Sequence, residues 1–223
     1  NHRYNELMQF SYIVSHNLRS PISNILALSR LLDGGMSQGD VMATTGFIRE
    51  SAERMDEQLR DLNLILSTRS NINEKREMVG LGEAIASACS TLERELGEAG
   101  AILKVDIAPD AGELFTIRSY LHSIFFNLVA NALKYRSAGR PPVIGIGVYR
   151  SLGRTVITVS DNGSGIDLVE NGGSVFGLYR RFDTTKSGSG LGLYMTKTQV
   201  ESLGGTVEIA STKGEGTVFT ITF

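Results

Sequence analysis

The sequence predicts two domains of different class: an all-α antiparallel helical hairpin over residues 1–73, then an α/β sandwich over residues 74–223 with a mixed sheet and helices on one face. Three observations predict this. Apolar residues in the first part recur at heptad spacing. Glycine is segregated, with 12 of the 25 glycines between Asp161 and Gly216, and helix interiors disfavour glycine while turns recruit it. From about residue 78 onward, helical and alternating patterns take turns, as in a layered α/β domain.

In the hairpin, Leu7, Val14, Pro21 and Leu28 alternate with Leu18, Ile25 and Leu32 along one seam. Val41, Ile48, Met55 and Leu62 alternate with Thr45, Ala52, Leu59 and Leu66 along the second. The glycine-rich stretch Asp33–Asp40 separates them as a turn, leaving helices of roughly 30 residues, about 45 Å long at ~1.5 Å per residue. Two helices cannot bury both seams, so a homodimer forming a four-helix bundle is expected, with packing against the second domain as the alternative. Pro21 lies inside the first pattern and predicts a kink. Polar Thr68–Glu77 reads as a linker. Beyond it, Leu81–Leu96, Ser119–Arg136 and Leu191–Leu203 read as helices. Ile102–Ala108, Val143–Tyr149, Thr155–Ser160, Thr206–Ala210 and Thr217–Phe223 read as strands, and Asp161–Gly190 as a long glycine-rich loop.

Composition excludes several classes. Hydrophobic residues are 41% and charged residues 21%, which is neither disordered nor collagen-like. A net charge of −2 leaves no global field for nucleic acid or an anionic membrane. The single cysteine, Cys89, excludes an internal disulfide and a multi-cysteine zinc site, and reads as a small buried residue of a reducing compartment. No apolar run reaches the ~20 residues of a membrane span. The polar amino end shows no signal peptide, and with no initiator methionine the chain reads as a fragment of a longer protein.

Three groups of residues could carry chemistry. Asn127 and Asn131, four apart on a predicted helix, share a face, and Lys134 follows one turn later. Two amide oxygens beside an ammonium suit a magnesium–phosphate cluster, although asparagines on helices mostly face solvent. Asp161-Asn162-Gly163-Ser164-Gly165 directly follows a strand, placing a carboxylate beside a tight turn where it can accept the exocyclic amine of adenine; the same residues also make a plain turn. Gly188-Ser189-Gly190-Leu191-Gly192-Leu193 opens a helix whose first N–H groups can reach a phosphate. No strand precedes these glycines, which argues against a Rossmann site.

Taken in order, these motifs resemble the ATP-binding domain of sensor histidine kinases, in the superfamily that includes gyrase, Hsp90 and MutL. Asn127-Leu-Val-Ala-Asn131-Ala-Leu-Lys134-Tyr135 is similar to the N box, and Asp161-x-Gly163-x-Gly165 to the first glycine box. Phe176-Gly-Leu-Tyr179-Arg-Arg181-Phe182 resembles the F box. Gly188-x-Gly190-Leu191-Gly192-Leu193 is similar to the second glycine box, and Gly214-x-Gly216-Thr217 to the final glycine turn. Upstream, Ser15-His16-Asn17-Leu18-Arg19-Ser20-Pro21 resembles the H box of the dimerisation and phosphotransfer domain. Of His2, His16 and His122, only His16 falls in such a motif, outside the seam.

The resemblance implies a Bergerat-type ATP-binding fold and a kinase that moves the γ-phosphoryl of ATP to His16. It implies Asn127 and Asn131 at Mg2+, Lys134 at phosphate and Asp161 at adenine. Gly188, Gly190 and Gly192 would lie against the phosphates, with Arg181 and Lys186 as further phosphate candidates in a lid over roughly residues 166–187. Tyr135, Gly163, Gly165, Ile166, Leu191, Leu193 and Thr217 complete the nucleotide-binding set. Asn127 stands where the ATP-hydrolysing relatives carry a glutamate, which disfavours a gyrase-like or Hsp90-like water-directed ATPase. One departure is Asn17, where the family has Glu or Asp; an amide can orient His16 but takes up no proton at ordinary pH. That departure keeps open a nucleotide-binding dimeric scaffold without phosphotransfer. Ser20 matches a position where the family often has Thr or Asn and helps place a dephosphorylating water. The implied partner is a response-regulator receiver domain, and the implied location is the cytoplasm, with membrane anchoring of a longer protein left open.

Overall fold

The computed structural model describes residues 18–32, 34, 37–70, 75–171, 175–180 and 190–223. The chain divides into two compact units, Asn1–Ser67 and Thr68–Phe223.

The first unit contains helix α1 (residues 18–32) and nearly all of helix α2 (Gln38–Ser70), whose last residues fall in the second. Ser37 caps α2: its hydroxyl accepts the Asp40 N–H at 3.2 Å and donates to the Asp40 carboxylate at 2.7 Å. This satisfies one of the orphan donors of the first turn and places an acid there. On α1 the predicted seam is the covered one, with Pro21 buried and Leu18, Ile25, Leu28 and Leu32 half-buried. Leu7 and Val14 lie outside the described residues. On α2 the covered stripe runs through Thr44, Ile48, Ser51 and Met55, whereas Val41, Thr45, Ala52 and Leu59 are exposed. Half of the predicted second seam is thus displaced by one residue. Among the described residues, Ile22, Leu26, Leu31, Val41, Met42, Phe47 and Leu59 are apolar and exposed beside these stripes. Thr45 turns its hydroxyl back to the carbonyls of Val41 and Met42 at 2.8 and 2.9 Å. α2 also continues through Ser70, and a strand begins at Glu77. The predicted linker is therefore shorter, because an established helix propagates through polar residues at little cost.

The second unit contains β1 (Glu77–Gly80), α3 (Leu81–Thr91), α4 (Glu93–Glu98), β2 (Ile102–Ile107), β3 (Glu113–Thr116), α5 (Arg118–Lys134), β4 (Val143–Ser151), β5 (Arg154–Asp161), α6 (Leu168–Asn171), α7 (Gly192–Ser202), β6 (Thr206–Thr212) and β7 (Gly216–Thr222). Five strands form a mixed sheet in the order β2-β4-β5-β7-β6; β2 and β4 are parallel and the remaining pairs antiparallel. One face carries Ile144, Ile146, Val148, Ile157, Val159, Phe219 and Ile221, which join Leu81, Ile85, Leu121, Phe125, Leu128 and Val200 of α3, α5 and α7 in one core. On the other face Gly145 and Gly147 pair with Ser160 and Thr158. A Cβ at either glycine would stand 2.7 Å from the opposing hydroxyl.

Two features differ from the sequence reading. The predicted helix Leu81–Leu96 breaks at Leu92. The hydroxyls of Ser90 and Thr91 bond the Ser87 carbonyl at 2.8 and 3.2 Å, a local competition that ends α3. A separate two-stranded sheet, β1 with β3, was not expected. Each strand has four residues, too few to show a period.

Candidate functional site

Helix α5 is anchored by Leu121, Ile124, Phe125, Leu128, Val129, Ala132 and Leu133 on its core face. That face consumes the apolar positions and leaves Ser123, Asn127 and Asn131 half-buried on another, one turn apart. The Asn127 amide nitrogen lies 3.5 Å from the Ser123 hydroxyl as its donor, so the amide oxygen points the other way. There it meets the start of α7: a Cβ on Gly192 would lie 3.5 Å from Asn127 Oδ1 and 3.8 Å from Asn131 Nδ2. Gly192 opens α7, whose first turn has no side-chain cap. The start of α7 thus lies beside two amides. Asn131 and Gly192, 61 residues apart in sequence, form one wall.

Lys134 and Tyr135 end α5. The Lys134 ammonium sits 4.7 Å from the centroid of the Tyr135 ring, a cation–π contact, and the Tyr135 carbonyl accepts the Ser164 N–H at 2.8 Å. This bond ties the end of the N box to the first glycine box. Gly163 is required there, since a Cβ would fall 2.6 Å from the Tyr135 carbonyl oxygen. Gly165, at φ +63°, and Gly216, at φ +138°, each present bare backbone to a neighbouring strand end; a Cβ would overlap the carbonyl oxygens of Thr212 and Asp161.

Asp161 ends β5 between these turns. Its carboxylate accepts the Gly163 N–H at 2.7 Å and the Thr217 N–H. Burial pushes its titration above the ordinary carboxylate value; the two N–H groups and the Arg140 guanidinium pull it partly back. Thr217 is buried, and its hydroxyl pairs with Ser211 at 3.0 Å, while the same Ser211 hydroxyl accepts the Ile166 N–H at 2.8 Å. Ile166 is thereby fixed at the outgoing end of the box.

The segment after Ile166 begins with α6, whose first turn is held by the Asp167 carboxylate accepting the Val169 N–H at 3.0 Å. Val175 is buried and Phe176 packs against the core, with the Lys197 ammonium 5.8 Å from the Phe176 ring centroid. Gly190 returns the chain to the same place: at φ +76°, a Cβ there would stand 2.7 Å from the Arg180 carbonyl oxygen. Leu191 is buried and Leu193 packs against the core, so Leu191 can face a ligand only through its backbone. His16, Asn17, Arg181, Lys186 and Gly188 lie outside the described residues.

Two residues of this region were not singled out in the sequence. Arg140 donates from Nε to the Asn162 carbonyl at 2.7 Å and from Nη2 to the carbonyls of Gly163, Gly214 and Glu215 at 3.1, 2.8 and 2.9 Å. The Asn162 side chain accepts the Val143 N–H at 2.8 Å and donates to the Pro141 carbonyl at 3.0 Å. A lone arginine in a polar loop carries no sequence signal; its partners come from turns 22 to 75 residues away.

The site therefore joins a glycine-bearing helix start that faces two asparagines to a half-buried strand-end aspartate between glycine turns. The family model described as histidine kinase-, DNA gyrase B- and HSP90-like ATPase matches residues 116–223. Residues 116–223 thus carry a domain of that kind, and the chain is similar over nearly its whole length to a histidine kinase. It is 33% identical over 215 residues to the methanogenesis regulatory histidine kinase FilI of Methanothrix harundinacea, covering 95% of this chain and 24% of that protein. The chain thus spans about a quarter of the length of this relative. In fold it is similar to the histidine kinase ThkA, solved in complex with the response regulator TrrA: TM-score 0.74, 16% identity, 100% of this chain and 63% of that chain covered. Full-length ShkA, solved with AMPPNP, is similar at TM-score 0.66 and 19% identity, with 96% of this chain and 45% of that chain covered.

Proposed function

We propose that this chain phosphorylates itself on His16 with ATP and passes the phosphoryl group to an aspartate of a response-regulator receiver domain. Residues 1–73 are the dimerisation and phosphotransfer domain in this reading, and residues 74–223 the ATP-binding domain. The observation that carries it is the meeting of Gly192 with Asn127 and Asn131, a close approach between a glycine-bearing helix start and two amides. The donor set fits a hard cation: the Asn127 amide oxygen is turned away from Ser123 and toward that approach. Asn127 and Asn131 would hold magnesium, which neutralises phosphate charge when bound. Asp161, already oriented by two N–H groups, accepts the exocyclic amine of adenine while ionised.

For the chemical step, neutral imidazole is available, since a histidine of ~6.5 pKa is mostly unprotonated at pH 7. The His16 lone pair attacks the γ-phosphorus, the bond to the β–γ bridging oxygen breaks and ADP leaves. The other ring nitrogen then sheds its proton to water, because Asn17 takes none. Positioning and charge neutralisation supply most of the rate in such transfers. Asn127 carries no base to activate water, which favours the imidazole over hydrolysis. ThkA, solved with its response regulator, supports a receiver domain as the next acceptor. The exposed apolar stripe of the hairpin supports a second copy of the chain as its cover. No helix among the described residues is long and apolar enough to cross a membrane; we place this core in the cytoplasm.

The test is incubation with γ-labelled ATP. Acid-labile, alkali-stable label on the wild type and none on His16→Gln is expected. Nucleotide binding without label on either would instead establish the dimeric scaffold that Asn17 keeps in play.

A further inference from the structure

We propose that Arg140 is a positioning residue for the nucleotide, locking together the two glycine turns that flank Asp161 so that the carboxylate keeps its aim. The inference rests on the reading of Asp161 as the adenine acceptor and adds a residue that no glycine or asparagine motif contains.

The geometry is specific to a guanidinium. Arg140 lies in the loop between α5 and β4 and donates to four carbonyl oxygens, two on the first glycine box (Asn162, Gly163) and two on the β6–β7 turn (Gly214, Glu215). Nη2 carries two hydrogens and serves three of these oxygens, so at least one hydrogen is shared. No other side chain has a planar fork of this reach; a lysine ammonium supplies the charge from one point only. Between the two turns Gly214 N–H donates to the Ser164 carbonyl at 2.7 Å, and the Arg140 guanidinium adds bonds to both turns at the same junction. Asp161 sits where the turns meet, with one N–H from each on its carboxylate: Gly163 from the first and Thr217 from the end of the second. If the turns separate, the carboxylate loses one of its two guides and rotates with the other.

Charge acts in the same direction. The elements around Asp161 also bring Lys134 and Tyr135 at the end of α5, and Lys213 and Glu215 in the β6–β7 turn. Among the described residues Arg140 is the charged group that acts on the Asp161 carboxylate, favouring its ionised form against burial. Arg140 thus has two separable effects: a fork that fixes position, and a charge that keeps the acceptor deprotonated.

Two variants of the whole chain separate them, with calorimetric binding of magnesium and a non-hydrolysable ATP analogue as the readout. At pH 8 both Arg140→Lys and Arg140→Met should bind about tenfold more weakly, on the order of one charged hydrogen bond lost. On acidification, Arg140→Met should lose its remaining affinity at higher pH than the wild type. Arg140→Lys, which keeps the charge, should follow the wild-type pH profile at its reduced affinity. A role confined to fold stability would lower melting temperature and affinity without moving the pH profile. Asp161→Asn serves as the reference for the adenine reading. If Asp161→Asn abolishes binding while both Arg140 variants bind as the wild type does, the positioning role is overturned and the adenine reading stands. If Asp161→Asn binds normally, both are overturned. Should Arg140→Met not fold, Arg140→Lys still decides the positional part.

Discussion

The two units of this chain solve the burial problem differently. In the sandwich, Phe125, Leu121 and Ile144 are 0% exposed, closed in by helices on one face of a five-stranded sheet. In the hairpin, Leu26, Phe47 and Met42 are 52%, 58% and 76% exposed. Both sequences have regular apolar periodicity. The difference is that a sheet and the helices packed on it can enclose a core within one chain, whereas two helices share one seam and leave other apolar positions open. The sandwich encloses a core of its own, and the described part of the hairpin leaves large apolar side chains exposed.

The comparison is broken most strongly at the glycine turns. Gly216→Val puts a Cβ onto the Asp161 carbonyl oxygen at φ +138°. It should cost more than ~4 kcal/mol by combining steric overlap with backbone strain, and chemical denaturation should show the sandwich unfolded or nearly so. Next in size, Phe125→Ala removes a fully buried ring and should cost about 3–5 kcal/mol, measured by the same method. The equivalent insult on the hairpin, Phe47→Glu, should leave the sandwich melting transition unchanged and instead shift sedimentation from dimer to monomer. An unchanged dimer would mean that the open stripe is not the bundle interface.

Asp161 sharpens the contrast through pH. Its folded-state titration is raised by burial, so the native state holds the proton longer than the unfolded chain does. The resulting stability is present at low pH and is lost as pH rises through the raised value. Nucleotide affinity runs the opposite way, rising over the same window as the acceptor ionises. Melting temperature and affinity measured across pH should therefore cross, and Asp161→Asn should flatten both. The smallest effect belongs to the hairpin: Gly46 lies inside α2 with open space where a Cβ would stand. Gly46→Ala should stabilise the helix by roughly 0.5–1 kcal/mol, visible as a small rise in the hairpin transition alone.

Much of the site could be read in advance because its residues belong to local structure. Asn127 and Asn131 share a helix face by spacing alone, Asp161 ends a strand, and Gly163, Gly165, Gly190 and Gly216 mark backbone that a side chain would obstruct. The hairpin was legible for the same reason, down to the α1 seam of Leu18, Pro21, Ile25, Leu28 and Leu32. The second seam was misplaced where Thr44 and Ser51 are covered instead of Thr45 and Ala52, because composition favours alanine for a seam and only a neighbouring helix reveals which stripe it meets.

What the sequence by itself determined is whatever a residue's neighbours in the chain can enforce: the periods, the caps, the glycine turns and the order of the nucleotide motifs. Tertiary structure alone decided the pairing of β1 with β3, the approach of Gly192 to Asn127 and Asn131, and the grip of Arg140 on four distant carbonyls. Such contacts form between positions tens of residues apart, and their geometry depends on every element packed between them; no local pattern can encode a distance that the rest of the fold must first create.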